Sequence, residues 1–323
     1  MDERGSISRT MNETPYLIQL KGVHVSYPLP KGGGVKQVLN GVEFRVRPGQ
    51  FVTVVGPTGC GKSTMLRLVL GAEPPTEGEV LFEGQPVRGL DRARGIVFQR
   101  YSLSPFRTVE ENIAIGPELA YTGLTQRILS TPASRRVRKQ ALAEARELIA
   151  RIGLAPSDAS KYPYQLSGGM RQRVAIAQAI IMRHKVLLMD EPFGALDPIV
   201  RESMQLLILE KWKEHRMTVF FVTHDLEEAV FLGTRIVCLS QYYTAEEPDH
   251  GEGAKIVLDK KTPGDHPKPT AYKNTPEFNA LQEEIRADGF EPSRKQRVAE
   301  FDLSHEDALR PTPRSTTNQE ARP

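Results

Sequence analysis

The sequence predicts an α/β fold: a mostly parallel sheet core, preceded by an antiparallel β subdomain and interrupted by an inserted α-helical subdomain. Short, continuously apolar runs at 51–55, 186–189, 219–222 and 236–239 alternate with helix-length segments rich in Leu, Glu and Lys. Such runs mark parallel strands covered on both faces. The first of them leads through a glycine-rich loop directly into a helical pattern, Met65-Leu66-Arg67-Leu68-Val69-Leu70, so a strand, a loop and a helix follow one another without a break.

The elements follow in order. Residues 1–15 are polar and are expected to be flexible. Residues 17–27 alternate as a strand, 31–34 form a glycine turn, and 35–46 resume the extended pattern before Arg47-Pro48-Gly49, which reads as hairpin architecture. After the loop helix, 78–84 and 95–99 read as two short strands. From about 105 to 181 the character is helical: Leu142, Ala145, Leu148, Ile149 and Ile152 recur at three and four, leaving charges for the opposite face. The basic run Arg135-Arg136-Val137-Arg138-Lys139 is most simply a solvated helix face, with acidic lipid headgroups as the weaker alternative. Strands return from 186. Beyond about Ser240 the chain is richer in Pro, Gly and charge and reads as irregular, with one ordered piece: Thr275 can cap a helix with Pro276 at its first position, so that Phe278, Leu281 and Ile285 share a face. The division is therefore a main α/β domain at 16–265, with the helical subdomain inserted at about 105–181, a C-terminal extension with a short helix at 266–289, and a disordered tail at 290–323 rich in charge, Ser, Thr and Pro.

Composition removes several classes of function. The 43 basic and 40 acidic residues leave a net charge of +3, too balanced for a nucleic-acid partner. No run of eighteen apolar residues could span a bilayer. The amino-terminal residues lack the basic and apolar regions of a signal peptide, so a cytoplasmic location is expected. The two cysteines, Cys60 and Cys238, have neither the number nor the spacing of a metal site or a disulfide framework.

The glycine loop Gly56-Pro57-Thr58-Gly59-Cys60-Gly61-Lys62-Ser63-Thr64 has the chemistry of a phosphate cradle. Its glycines let successive backbone N–H groups and the following helix N-terminus face a polyphosphate. Lys62 would reach the β- and γ-phosphates, and the Ser63 hydroxyl would ligate Mg²⁺. Asp190 and Glu191 terminate a wholly apolar strand. That placement suits Asp190 as a metal carboxylate and Glu191 as general base or water-orienting group better than it suits a solvated turn. His224 could contact the γ-phosphate and the attacking water, and Gln99 could complete the metal shell, although a single histidine or glutamine is more often an ordinary residue. A second glycine cluster, Ser167-Gly168-Gly169, again opens a helix. One nucleotide hardly needs two such loops from one chain.

Taken together, the phosphate loop, Gln99, the segment 166–173, the strand ending in Asp190-Glu191, Ala195-Leu196-Asp197 and His224 resemble the ordered motifs of ABC-transporter ATPase domains over residues 17–260. The wording at 165–177 and 190–198, with Thr275-Pro276-Glu277-Phe278, is most similar to importers of the nitrate/sulfonate/taurine group. The resemblance implies a P-loop NTPase (RecA-like) core that hydrolyses ATP with Mg²⁺. It further implies a head-to-tail homodimer in which Ser167, Gly168 and Gly169 of one chain close on the ATP held by the other's phosphate loop. Tyr27 matches the residue that stacks on adenine, Asp197 the one that communicates across the dimer, and 99–106 the region where a membrane partner's helix docks. The implied partners are a second copy, an integral-membrane permease and an extracytoplasmic solute-binding protein, and the implied location is the cytoplasmic face of the plasma membrane. Two features depart from the group: the wording of 100–106, and a longer region at 121–134. An exporter ATPase is disfavoured by Phe193, and a soluble ABC ATPase acting on ribosomes or DNA by a single motif set with no long heptad block.

Overall fold

The computed structural model describes residues 15–30, 34–99, 102–121, 131–244 and 252–311. Its strands are β1 (Ile18–Pro28), β2 (Val35–Val46), β3 (Phe51–Val55), β4 (Glu77–Phe82), β5 (Gln85–Pro86), β6 (Arg94–Val97), β7 (Val186–Asp190), β8 (Thr218–Val222), β9 (Arg235–Ser240), β10 (Tyr243–Thr244), β11 (Lys255–Lys261) and β12 (Gln296–Arg297). Its α-helices are α1 (Lys62–Leu70), α2 (Val109–Tyr121), α3 (Pro132–Arg151), α4 (Gly168–Ile180), α5 (Pro198–His215), α6 (Leu226–Leu232) and α7 (Pro276–Gly289).

The central sheet has the order β11-β9-β3-β8-β7-β6. Every neighbouring pair in it is parallel except β11 with β9. The register brings the parallel strands to a nearly level carboxyl edge: Val54 and Asp190 both pair with Val222, and Val97 pairs with Met189. Side-chain alternation sends Phe51, Val55, Leu187, Met189, Val219 and Phe221 into one core with the helices. Val52, Val54, Val186, Leu188, Phe220 and Val222 enter a second core with α1 and the antiparallel strands. Both faces are dry, which is why these strands read as unbroken apolar runs rather than as alternating ones.

The antiparallel sheet, β2-β1-β4-β5, shares the second core through Ile18, Leu20, Val42 and Phe44. The helical subdomain joins α2, α3 and α4. Ala145, Leu148 and Ile149 pack with Ile113 and Val174, while Arg146 to Glu110 at 2.7 Å and Arg138 to Glu111 at 3.0 Å link the outer faces of α2 and α3. Residues 122–130 of the longer region lie outside the described residues, as do Arg100 and Tyr101.

Two parts of the chain differ from the sequence-based expectation. The first is β11, which lies in a stretch the composition marks as irregular. It is a strand because Asp259 is buried against Arg235 of β9, with two hydrogen bonds of 2.6 Å, and the Arg235 guanidinium lies 4.7 Å from the Phe44 ring centroid. Its charges are structural. The second is the tail expected at 290–323, which is packed as far as Pro311. Phe301 is buried edge-on against Tyr243, Gln296 pairs with Tyr243 in a short parallel bridge, and Asp307 accepts two hydrogen bonds from Arg47 Nε (2.8 and 3.0 Å) and one from Nη2 (2.7 Å). The tail's charged residues, read as solvating, are partners of cations far away in sequence. Residues 312–323 and 1–14 lie outside the described residues.

Candidate functional site

Four adjacent parallel strands deliver the site. In an open α/β sheet the loops beyond the carboxyl ends of the strands form the natural ligand crevice. Here β3 leads into the glycine loop, β8 into His224, β7 into Asp190-Glu191, and β6 into Gln99.

The glycine loop is held tightly. Gly56 has φ +147, and a Cβ there would lie 2.0 Å from the Leu239 carbonyl oxygen and 2.9 Å from Cys60 Sγ. Gly61, with φ +103, would meet Leu39 Cδ2 at 2.7 Å. Only glycine fits both the backbone and the space. Lys62 is buried and donates to the carbonyl oxygens of Gly56 at 2.8 Å and Pro57 at 2.9 Å. No side chain caps the N-terminus of α1, and its first turn carries no acid. Its leading N–H groups are thus suited to an anion. Burial pushes both thiols up, that of Cys238 beyond the normal range, so Cys60 is a small packed loop residue.

At the end of β7, the Asp190 carboxyl faces the Ser63 hydroxyl. Burial pushes its carboxyl above the ordinary value, the Glu191 charge adds to this, and the Ser63 hydroxyl and Lys62 oppose it. A half-buried carboxylate beside a hydroxyl, open to an uncapped helix end, is the hard-oxygen set that suits Mg²⁺ shared with phosphate oxygens. Gln99 is the third oxygen-bearing side chain at this edge.

Glu191 is where the site converges. Its amide donates to the Val222 carbonyl at 2.9 Å, which extends the β7–β8 pairing past Asp190. Its φ of 46 lies in the left-handed region, a conformation that costs a non-glycine residue of the order of 1–2 kcal/mol and gathers at functional sites. Gln99 Nε2 donates to Glu191 Oε2 at 3.1 Å, and His224 Nδ1 lies 3.2 Å from Oε1. The His224 turn is fixed from behind: Thr223 Oγ1 donates to Glu228 Oε2 at 2.7 Å and accepts from the Asp225 amide at 3.0 Å. Asp225 in turn caps α6. Three residues expected to act together, Gln99, Glu191 and His224, are therefore in contact.

The second glycine cluster is placed differently. Ser167 caps α4, its hydroxyl accepting from the Met170 amide at 3.2 Å. A Cβ on Gly169 would lie 3.1 Å from the Ala195 carbonyl oxygen, so this helix end rests on the turn before α5. The near neighbours of Gly169 lie in that turn, and Asp197 within it caps α5 through the Val200 amide at 3.0 Å. A residue that sequence reasoning missed joins the two regions. Buried Gln172 of α4 donates to the Pro192 carbonyl, directly after Glu191, at 2.6 Å. Its only sequence signal is a polar residue on the apolar face of a helix.

Tyr27 is half-buried near the end of β1, with its hydroxyl 2.8 Å from Glu73 Oε1. The polar contacts around it involve Arg67 and Glu73, which belong to no motif.

Residues 39–194 match the ABC transporter family. The chain is 41% identical to the taurine import ATP-binding protein TauB of Chromobacterium violaceum over 279 residues, 83% of this chain and 94% of that protein. It is 43% identical to the nitrate import ATP-binding protein NrtD of Synechococcus elongatus over 215 residues, 67% of this chain and 73% of that protein. The dimeric, post-hydrolysis structure of the ATP-binding cassette MJ0796 bound to ADP and Pi superposes with a TM-score of 0.63 at 31% identity, covering 77% of this chain and all of that one.

Proposed function

Because the chain belongs to the ABC transporter family and is an ATPase coupled to transport, we propose that it powers import of a small solute through a separate membrane permease. The observation that carries the hydrolytic part is Glu191 held between Gln99 and His224 at the carboxyl edge of the sheet, beside the phosphate loop.

Bound ATP would take the place of the Gly56 and Pro57 carbonyls as the partner of Lys62, with its phosphates on the loop amides and the N-terminus of α1. Ser63, Asp190 and Gln99 would hold Mg²⁺, which neutralises phosphate charge when bound. Gln99 can serve both sides, because its amide nitrogen faces Glu191 and leaves its oxygen for the metal. Glu191 would accept the proton of the attacking water, and His224 would orient the carboxylate and contact the γ-phosphate. Tyr27 would stack on the adenine ring.

Ser167, Gly168 and Gly169 would complete the site of a second copy in a head-to-tail homodimer. Gln172 would then report closure to the strand that carries Glu191. The dimeric state of the similar cassette MJ0796 supports a homodimer. Among the described residues no helix is long and apolar enough to cross a membrane, which fits a subunit held at the cytoplasmic face of the membrane by its permease. Taurine, other sulfonates, nitrate and small amides or guanidino compounds fit the cargo class, delivered by an extracytoplasmic binding protein. Copurification with the permease and binding protein, followed by ATPase assays with each solute, tests the reading. Stimulation by one solute identifies the cargo; stimulation by none of them rejects this cargo class, and failure of the chain to hydrolyse ATP rejects the reading itself.

A further inference from the structure

At the junction of the antiparallel sheet and α1, the side chains of Tyr27, Glu73, Arg67 and Thr64 form one continuous polar contact that the hydrolytic chemistry does not use. Tyr27 donates its hydroxyl to Glu73 Oε1 at 2.8 Å. Arg67 Nε donates to the same oxygen at 3.1 Å, while Nη2 reaches the Tyr27 hydroxyl at 3.3 Å and Thr64 Oγ1 at 3.0 Å. The backbone reinforces this. Gly71, with φ +83, turns the chain at the end of α1 so that the amides of Gly71 and Ala72 both donate to the Arg67 carbonyl at 3.0 and 2.9 Å, which sets Glu73 opposite the guanidinium.

The guanidinium fork is planar and rigid, so it fixes the relative placement of everything it binds. Here it binds the ring that ends β1 and the last residue of the phosphate loop. Each contact is part-exposed and individually weak, but together they remove the torsional freedom of a tyrosine ring at a strand end. We propose that Arg67 and Glu73 are positioning residues for the nucleotide: they lock the plane of Tyr27 and hold this base platform at a set spacing from the Thr64 end of the loop. The proposal rests on the reading of Tyr27 as the adenine-stacking residue. Neither Arg67 nor Glu73 touches the nucleotide in this role; they act through Tyr27.

The test compares ATP with inorganic tripolyphosphate, which lacks a base, in the full chain. Tyr27→Ala is expected to weaken ATP binding about tenfold, the scale of one aromatic–base stack, and to leave tripolyphosphate binding unchanged. Arg67→Ala and Glu73→Gln are expected to raise KM for ATP roughly three- to tenfold with kcat within about twofold, again with tripolyphosphate unaffected. In the Tyr27→Ala/Arg67→Ala double variant the losses should not add. Equal weakening of both ligands, or additive losses, would overturn the proposal and leave Arg67 a purely structural residue. Should Arg67→Ala fail to fold, Arg67→Lys and Glu73→Gln carry the same expectation, since each keeps the bulk and disrupts the fork. If Tyr27→Ala binds ATP as wild type does, the platform and its positioning residues are both refuted while the ATPase reading stands. A wild-type chain that binds neither ligand would refute that reading as well.

Discussion

Glu191 Oε1 lies 3.2 Å from His224 Nδ1, and this contact joins the loops that follow two adjacent parallel strands. Neither residue is placed by its neighbours in sequence alone. The β7–β8 register brings them face to face, and the Glu191 amide bond to Val222 sets the distance.

Glu191→Gln keeps the shape and tolerates the same backbone, but it cannot take a proton. ATP turnover is expected to fall about 10²- to 10⁴-fold while ATP binding persists, so the variant should accumulate as an ATP-dependent dimer. Steady-state ATPase assays with size-exclusion chromatography in ATP and in ADP check both halves. Turnover within about threefold of wild type would remove the base role.

Gly56→Ala places a methyl group 2.0 Å from a backbone oxygen at a φ of +147. The loop must shift, at a cost of about 1–3 kcal/mol. Nucleotide affinity is expected to fall about ten- to a hundredfold, measured by calorimetric titration, with the far-ultraviolet circular dichroism spectrum unchanged.

The segment from Phe290 to Pro311 supports the fold. Truncation after 289 removes buried Phe301 and the Arg47–Asp307 contact and should lower the thermal midpoint by about 5–10 °C. Burial would raise the Asp307 carboxyl, but the hydrogen bond and charge of Arg47 outweigh it and hold the group below its ordinary value. Its contribution is therefore complete above the unfolded value of about 4 and is lost as pH falls through the lower folded one. The gap in thermal midpoint between wild type and Asp307→Asn should be constant from neutral pH down to mildly acidic pH and shrink below about pH 4. A gap unchanged at low pH would show that the charge is irrelevant.

Lys268 is buried, with Nζ 2.6 Å from the Val230 carbonyl oxygen and 4.5 Å from the Tyr272 ring centroid, and burial lowers its amine to about 7. Between that value and the unfolded value of about 10.4 the unfolded chain binds more protons than the folded one, so stability contributed at this site rises with pH across that window. Relative to Lys268→Met, wild type should gain thermal stability from pH 7 to pH 10 and show no differential change between pH 5 and pH 6.5. Parallel melting curves across the upper window would refute the buried neutral amine.

What could be read from the sequence was what is local. The strand, loop and helix around Lys62 are contiguous, and the apolar runs of β7, β8 and β9 announce burial on both faces by themselves. Ser167 capping α4 follows from four consecutive residues. What could not be read depends on partners distant in the chain. Lys255–Lys261 is a strand because Arg235 needs Asp259, and Phe301 to Asp307 is ordered because Arg47 and Tyr243 receive it. Arg67, Glu73 and Gln172 escaped for the same reason: each is an ordinary polar residue until the fold sets Tyr27 or Pro192 against it.

The packing of the carboxy-terminal residues over β11 has a further consequence. The Asp259 amide donates to the Asp302 carbonyl at 2.8 Å and the His305 amide to the Asp259 carbonyl at 2.9 Å, so the backbone of the sheet's outermost antiparallel strand is already engaged. An open strand there would invite pairing with another chain. With Asp259 engaged at the middle of that border, the carboxy-terminal residues occupy the place a strand from a second copy would need to continue the sheet.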